Sequence, residues 1–257
     1  MSDHEINGLL MSSIDWDIML PAFIAGALVL TTHVPLGMRV LARGVIFVDL
    51  AIAQIAGLGV IAASLLGLED NVYAVQGMAV SSALLGALLL AYTEHKRPKI
   101  QEATIGLAFV LASTLGMLLL SHDVHAGEHL KDLLAGQILW VSRGQLIATA
   151  ILTALLFALW LMFRGRYPRF AFYAQFALAV TASVQLVGVY LVFTSLIVPA
   201  LATHRCKKWR SAIAYGIGIA GYAAGLLLSA WFDLPAGPAI VWAMAACGTA
   251  FMVRKRL

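Results

Sequence analysis

The chain has 257 residues, of which 61% are hydrophobic and only 12% charged, and its mean hydropathy is +0.90. Soluble domains carry about 45–50% apolar and about 25% charged residues, so this chain lacks the polar surface that would coat a particle in water, and its composition points to a bilayer. The net charge of +4 comes from short basic clusters between apolar runs, where positive-inside bias places them, and this disfavours nucleic acid as a partner.

A membrane span needs about 20 apolar residues to cross about 30 Å of hydrocarbon. Residues 1–15 form a short polar, acidic segment with no basic leader, expected to stay outside and to precede a retained first span. Spans follow at about 16–38, 44–66, 73–93, 103–121 and 145–163. The stretch 170–203 is too long for one crossing and short for two, and it reads as a tight hairpin of short or broken helices around Gly188 and Pro199. Spans at about 211–231 and 236–253 complete an all-α, polytopic bundle of about eight or nine transmembrane helices. Cys206 and Cys247, one in a basic loop and one in an apolar run, suggest neither a disulfide framework nor a cysteine metal site.

With the N-terminus outside, fifteen of the seventeen Lys and Arg residues fall in inner loops and only Lys131 and Arg143 lie outside, the orientation the positive-inside rule requires. Ten of the thirteen acids, Glu69 and Asp70 among them, collect on the outer side, where their potential gathers cations.

Polar residues inside spans need a reason. Asp49 sits in GVIFVDLAIAQIAGLG (44–59), and a central aspartate costs about 2.5–3.5 kcal/mol on the insertion scale. His33 and Asp49 should lie at similar depth on adjacent antiparallel helices and form a His and carboxylate pair; Gln54, one and a half turns from Asp49, is a weaker member. Such nitrogen and oxygen ligands suit zinc or manganese. Read singly, Asp49 can also snorkel and His33 can satisfy a backbone carbonyl.

A second cluster, SHDVHAGEHLKD (121–132), crowds His122, His125, Glu128 and His129 into an outer loop, a capture site for a metal ion at the mouth or a solvated cap. HAGEH also matches the zinc-hydrolase pattern H-x-x-E-H, with Gly127 weakening the helix that would align its histidines. An intramembrane zinc-dependent hydrolase is thus an alternative of another class, and a cation carrier driven by an ion gradient is a third. The glycines inside spans, Gly57 and Gly59 or Gly216, Gly218, Gly221 and Gly225, read as close helix packing. No Lys follows a Gly, so a phosphate-binding G-x-x-x-x-G-K-[ST] loop is ruled out, and any ATP must bind to another subunit.

Five segments, RVLARGVIFVDLAIAQIAGLG (39–59), QEATIGLAFVLASTLG (101–116), EHLKDLLAGQILWVS (128–142), VQLVGVYLVFTSLIVPALATHR (184–205) and FDLPAGPAIV (232–241), occur in an order that resembles the membrane subunits of ABC transporters for divalent metals, the zinc, manganese and iron(II) permeases. The resemblance implies a metal-type ABC permease fold, a single transmembrane permease domain over 1–257, and import of zinc, or else manganese or iron(II), with no permanently bound cofactor. It implies a second copy or a similar permease, two ATP-binding cassette subunits that hydrolyse the ATP, and an extracytoplasmic metal-binding protein. A multi-pass place in a bacterial inner membrane follows.

Carried over by position, the family's second-span Asp corresponds to Asp49. Its His four residues on is missing: Ala53 stands there and Gln54 one step later, so either Gln54 or His33 is expected to substitute, with His33 favoured because imidazole binds zinc better than an amide does. The family's cytoplasmic coupling helix before Phe170 is reduced to RGRYPRF (164–170). Docking of the ATPase is then expected at Arg164, Arg166 and Arg169, or at Arg205, Lys207 and Lys208 in HRCKKWR (204–210).

Overall fold

A computed structural model describes residues 16–121, 136–162 and 169–254. Among them lie nine α-helices: α1 (Trp16–Arg43), α2 (Val48–Leu65), α3 (Val72–Lys96), α4 (Gln101–Leu119), α5 (Arg143–Met162), α6 (Arg169–Val187), α7 (Val189–Ala202), α8 (Arg210–Phe232) and α9 (Ala236–Arg254). No strand occurs among the described residues. Seven of the nine, all but α5 and α7, are long and apolar enough to cross a membrane. In lipid the helix is one of only two folds that satisfy every backbone polar group internally, which is why so apolar a chain takes this form.

Local chemistry sets the helix ends. α1 runs five residues past its expected end, to Arg43, and stops at a glycine: Gly44, at φ 70°, donates its N–H to the Leu41 carbonyl while Val45 donates to Val40, both at 3.3 Å. That paired pattern satisfies the last orphan carbonyls of a helix and needs a left-handed residue at its centre. Asn71 caps α3, its side-chain oxygen accepting from the N–H groups of Tyr73 and Ala74 at 3.1 and 3.2 Å. Ser142 and Gln145 cap α5 reciprocally, the Gln145 carbonyl accepting from the Ser142 N–H at 2.9 Å and the Ser142 hydroxyl from the Gln145 N–H at 3.2 Å, a capping box.

The expected hairpin is resolved into a full-length helix and a short one. α6 has 19 residues and α7 only 14, about 28 and 21 Å long. They break at Gly188, whose φ of 80° and ψ of 161° belong to a region open essentially to glycine alone. Gly136 rests against this break: a Cβ there would lie 2.2 Å from the carbonyl carbon of Val187 and 2.3 Å from the nitrogen of Gly188. Pro199, expected to share in the break, lies inside α7 instead.

The helices pack as two groups. α1 packs against α7, α8 and α5; α2 packs against α3, α4 and α6; α8 and α9 pack on each other, and α9 also meets α7. Small residues bring them close, as expected for Gly59, Gly218, Gly221 and Gly225. A Cβ on Gly59 would lie 2.4 Å from the Met78 carbonyl oxygen, and one on Gly225 2.3 Å from the Ile240 Cα. Gly216, by contrast, faces open space. Pro35, inside α1, has no N–H to give the carbonyl four residues back, and the hydroxyl of Tyr215 on α8 donates to that Thr31 carbonyl at 3.1 Å. α4 and α5 keep large apolar side chains exposed, Leu111, Leu118, Ile151 and Leu155 among them, as faces turned to lipid do.

Candidate functional site

The α1 end, the α3 end, the α6 start and the α8 start meet at one end of the bundle, which gathers the cations. Arg43 pairs with Glu94 at 3.4 Å and lays its guanidinium 4.2 Å above the ring of Phe172. Gln101 donates to the Leu90 carbonyl at 2.9 Å and to the Tyr173 hydroxyl at 3.2 Å. The Phe47 N–H donates to Glu102 at 3.1 Å. These contacts tie α1, α3, α4 and α6 together at this basic end.

Asp49 is in the first turn of α2, one residue from its start at Val48, and so belongs to the basic end. It is fully buried, and neither carboxylate oxygen has a hydrogen-bond partner among the described residues. A buried carboxylate without donors is costly, since nothing replaces the water it has lost. Ala53 beside it on the same face is buried as well, while Gln54 is half-buried.

His33 is equally buried. Its Nδ1 lies 2.9 Å from the Val29 carbonyl and 3.0 Å from the Thr32 hydroxyl. A carbonyl oxygen only accepts, so Nδ1 carries the proton and the neutral ring presents a bare lone pair at Nε2. That Nε2 is buried without a partner among the described residues. An imidazole held through Nδ1–H by a backbone carbonyl, with Nε2 left open, is the arrangement that metal-binding histidines use. The backbone-carbonyl contact expected of a packing histidine is thus present, and Nε2 is left without a partner among the described residues.

The expected pairing of His33 with Asp49 is not formed. α1 and α2 do not pack along each other, because α1 turns to α7 and α8 while α2 turns to α3 and α4. The depths differ too. His33 lies ten residues before the end of α1, about 15 Å inward, whereas Asp49 is about 1.5 Å from the start of α2. The extra helical residues to Arg43 and the late start of α2 create this offset. They are two separate buried polar points, and among the described residues no group of three His, Cys, Asp or Glu side chains is placed to hold a metal ion.

The other end of α2 is open. A cavity of about 630 Å³ is lined there by Ser64 and Glu69, by Gln137 and Trp140, and by Gln145 and Gln185, with apolar neighbours such as Val60 and Leu186. The Ser64 hydroxyl donates to Glu69 at 2.9 Å, and Gln76 donates to Gln185. Sequence reasoning missed this site, apart from counting Glu69 among the outer acids. Its lining comes from five separate segments, and only the S-x-x-Q cap at 142–145 was a local signal.

Of the remaining expected residues, His122, His125, Glu128 and His129 and the docking candidates Arg164 and Arg166 lie outside the described residues. Arg169 is exposed at the start of α6 and donates to Nδ1 of His95 at 2.9 Å. Arg205, Lys207 and Lys208 are exposed in the link before α8. Among the described residues neither Cys206 nor Cys247 forms a disulfide.

Comparison with known proteins agrees along the whole described chain. The ABC 3 transport family model matches residues 15–172 and 166–254. A probable iron transport system membrane protein of Haemophilus influenzae is 26% identical over 223 residues, which are 68% of this chain and 80% of that protein. The high-affinity zinc uptake system membrane protein ZnuB of Buchnera aphidicola is 23% identical over 250 residues, 88% of this chain and 93% of that protein. The structure of PsaBC from Streptococcus pneumoniae in complex with Fab has the same fold at a TM-score of 0.73 and 21% identity, covering 91% of this chain and 90% of that one.

Proposed function

The chain belongs to the ABC 3 transport family and is a multi-pass, metal-type ABC permease, and we propose that it imports a divalent transition metal, zinc first and manganese or iron(II) next, across a bacterial inner membrane. Its basic end faces the cytoplasm, as the bias of Lys and Arg requires. It works with a second copy of itself or a similar permease, two ATP-binding cassette subunits and an extracytoplasmic metal-binding protein, and the ATP is hydrolysed on those partner subunits.

The observation that carries this reading is Asp49, a carboxylate sealed in the basic end with both oxygens unpartnered. A dication in transit supplies the countercharge that no described protein group gives it, and a carboxylate with no fixed partner can release that ion again. Asp49 stands at the position of the family's pathway acid. His33 supports the same reading from a separate level: with Nδ1–H spent on Val29, only Nε2 is offered, and a neutral imidazole suits zinc better than Gln54 does. Two stations of one or two ligands each suit transport, where tight chelation would trap the cargo. The outer histidines His122, His125 and His129 with Glu128 belong to capture at the mouth. Docking of the ATPases falls to the exposed cations of the basic end, Arg169, Arg205, Lys207 and Lys208 with Arg164 and Arg166.

The test is uptake of labelled zinc into vesicles that hold the permease with its neighbouring ATPase. ATP-dependent uptake, competed by manganese and lost in Asp49→Asn at equal expression, is the expected result. Uptake unchanged by that substitution removes Asp49 from the pathway, and uptake that persists without the ATPase replaces the ATP-driven reading with a gradient-driven one.

A further inference from the structure

Among its apolar neighbours, the cavity at the outer end of α2 carries polar side chains that are mostly hydrogen-bond acceptors with oxygen atoms. A stripped zinc or manganese ion takes about four to six direct ligands, preferably imidazole, thiolate or carboxylate. The described lining offers neither His nor Cys and a single carboxylate, Glu69. The other polar groups are the Ser64 hydroxyl and the carboxamides of Gln137, Gln145 and Gln185. Direct coordination is therefore poorly served here.

Coordinated water is served well. A dication polarises its own waters into strong hydrogen-bond donors, which seek acceptors. Carboxamide and carboxylate oxygens each have two lone pairs, so a partner already bound leaves a second acceptor direction open. Gln145 uses one on the Ser142 N–H, Gln185 one on Gln76, and Glu69 one on Ser64. These bonds fix the three side chains in place at the wall without exhausting them. Size agrees as well: at ~30 Å³ per water, a cavity of about 630 Å³ exceeds what an ion and its six first-shell waters fill.

We infer that this cavity holds the arriving dication with its water shell intact, with Glu69 as the charge anchor and the glutamine carbonyls as acceptors for the coordinated waters. The inference rests on the metal-permease reading and adds the form in which the cargo enters. Waters are shed deeper in the bundle, so this cavity discriminates by charge and size, and selection among metals by ligand chemistry falls to the outer capture residues and to the interior.

Hexaamminecobalt(III) tests it, because its six ammines do not exchange and it can bind only through hydrogen bonds and charge. The full-length chain in lipid nanodiscs is titrated with this probe, and the signal is the quenching of Trp140, an exposed ring at the cavity wall, taken as the difference between wild type and Trp140→Phe. The expected result is saturable quenching that zinc ions displace. It weakens about tenfold in Glu69→Gln and is largely kept in Glu69→Asp. Absence of a Trp140-dependent signal, equal binding by Glu69→Gln, or a Trp140-dependent zinc signal that the ammine complex does not compete for would each overturn it. Because the readout is binding, a permease that fails to import zinc leaves this result standing, and a cavity that fails to bind the probe leaves uptake standing.

Discussion

The two ends of α2 are built to opposite plans. Around Ser64 the helix opens onto a cavity whose polar side chains are exposed or hydrogen-bonded; around Asp49 it is closed, and the carboxylate is buried with no donor among the described residues. Polarity at the wet end costs little, because water replaces any bond that is lost. Polarity at the dry end has no such relief, and on the proposed reading a moving cation supplies it. On the proposed reading, the contrast separates residues that receive cargo from residues that strip and pass it.

The largest expected effect breaks the dry end. Asp49→Asn should lower zinc uptake by about a hundredfold, at the upper limit for loss of a metal-site group, while the thermal midpoint stays level or rises because an uncompensated charge has gone. A carboxylate kept for packing alone would show the reverse, with uptake intact and the midpoint lower. His33→Leu should reduce uptake about tenfold with little loss of stability, since the side chains are similar in volume and the Val29 carbonyl keeps its bond within the helix. Isothermal titration with zinc on both variants then separates the two stations: independent sites lose affinity additively.

The wet end is tested through its scaffold. Gly188→Ala forces a Cβ into a backbone region that side chains avoid and should cost about 1–3 kcal/mol. Gly136→Ala adds contact at 2.2 Å with the same break and should cost a similar amount by overpacking. Both are read as thermal midpoints in detergent, and both should reshape the cavity while sparing the contacts at the basic end. The smallest effect is Glu94→Gln. The Arg43 and Glu94 side chains are 27% and 15% exposed, so loss of the pair should cost less than about 1 kcal/mol and remove part of the salt dependence of unfolding.

Much of the fold was legible in the sequence, because bilayer length and apolar runs alone define where helices stand. α3, α5, α8 and α9 lie within about three residues of their expected limits, and the break at Gly188 was visible from a stretch too long for one span. What failed was the relation between elements. The Arg43–Gly44 cap carries α1 beyond its expected end, and that shift of one and a half turns removes the level match of His33 with Asp49. The choice of α7 and α8 over α2 as neighbours of α1 depends on which small residues face which ridges, and no local pattern encodes it. Asp49 and His33 were identifiable one at a time as polar residues in apolar runs. The cavity was not, because its walls join residues more than a hundred positions apart.

The phenol that fills the proline gap in α1 has a mechanical meaning. A carbonyl answered by its own helix can be freed only by unwinding that helix, but the Thr31 oxygen is held from a neighbouring rod by a hydroxyl on a rotatable arm. Flexing of the first rod at Pro35 therefore strains a single lateral bond, about 1 kcal/mol, and tugs the eighth rod along with it. Tyr215→Phe would cut that tether while leaving the packing of the two rods in place, which makes this bond a natural place to measure how motion at one wall of the bundle reaches the next.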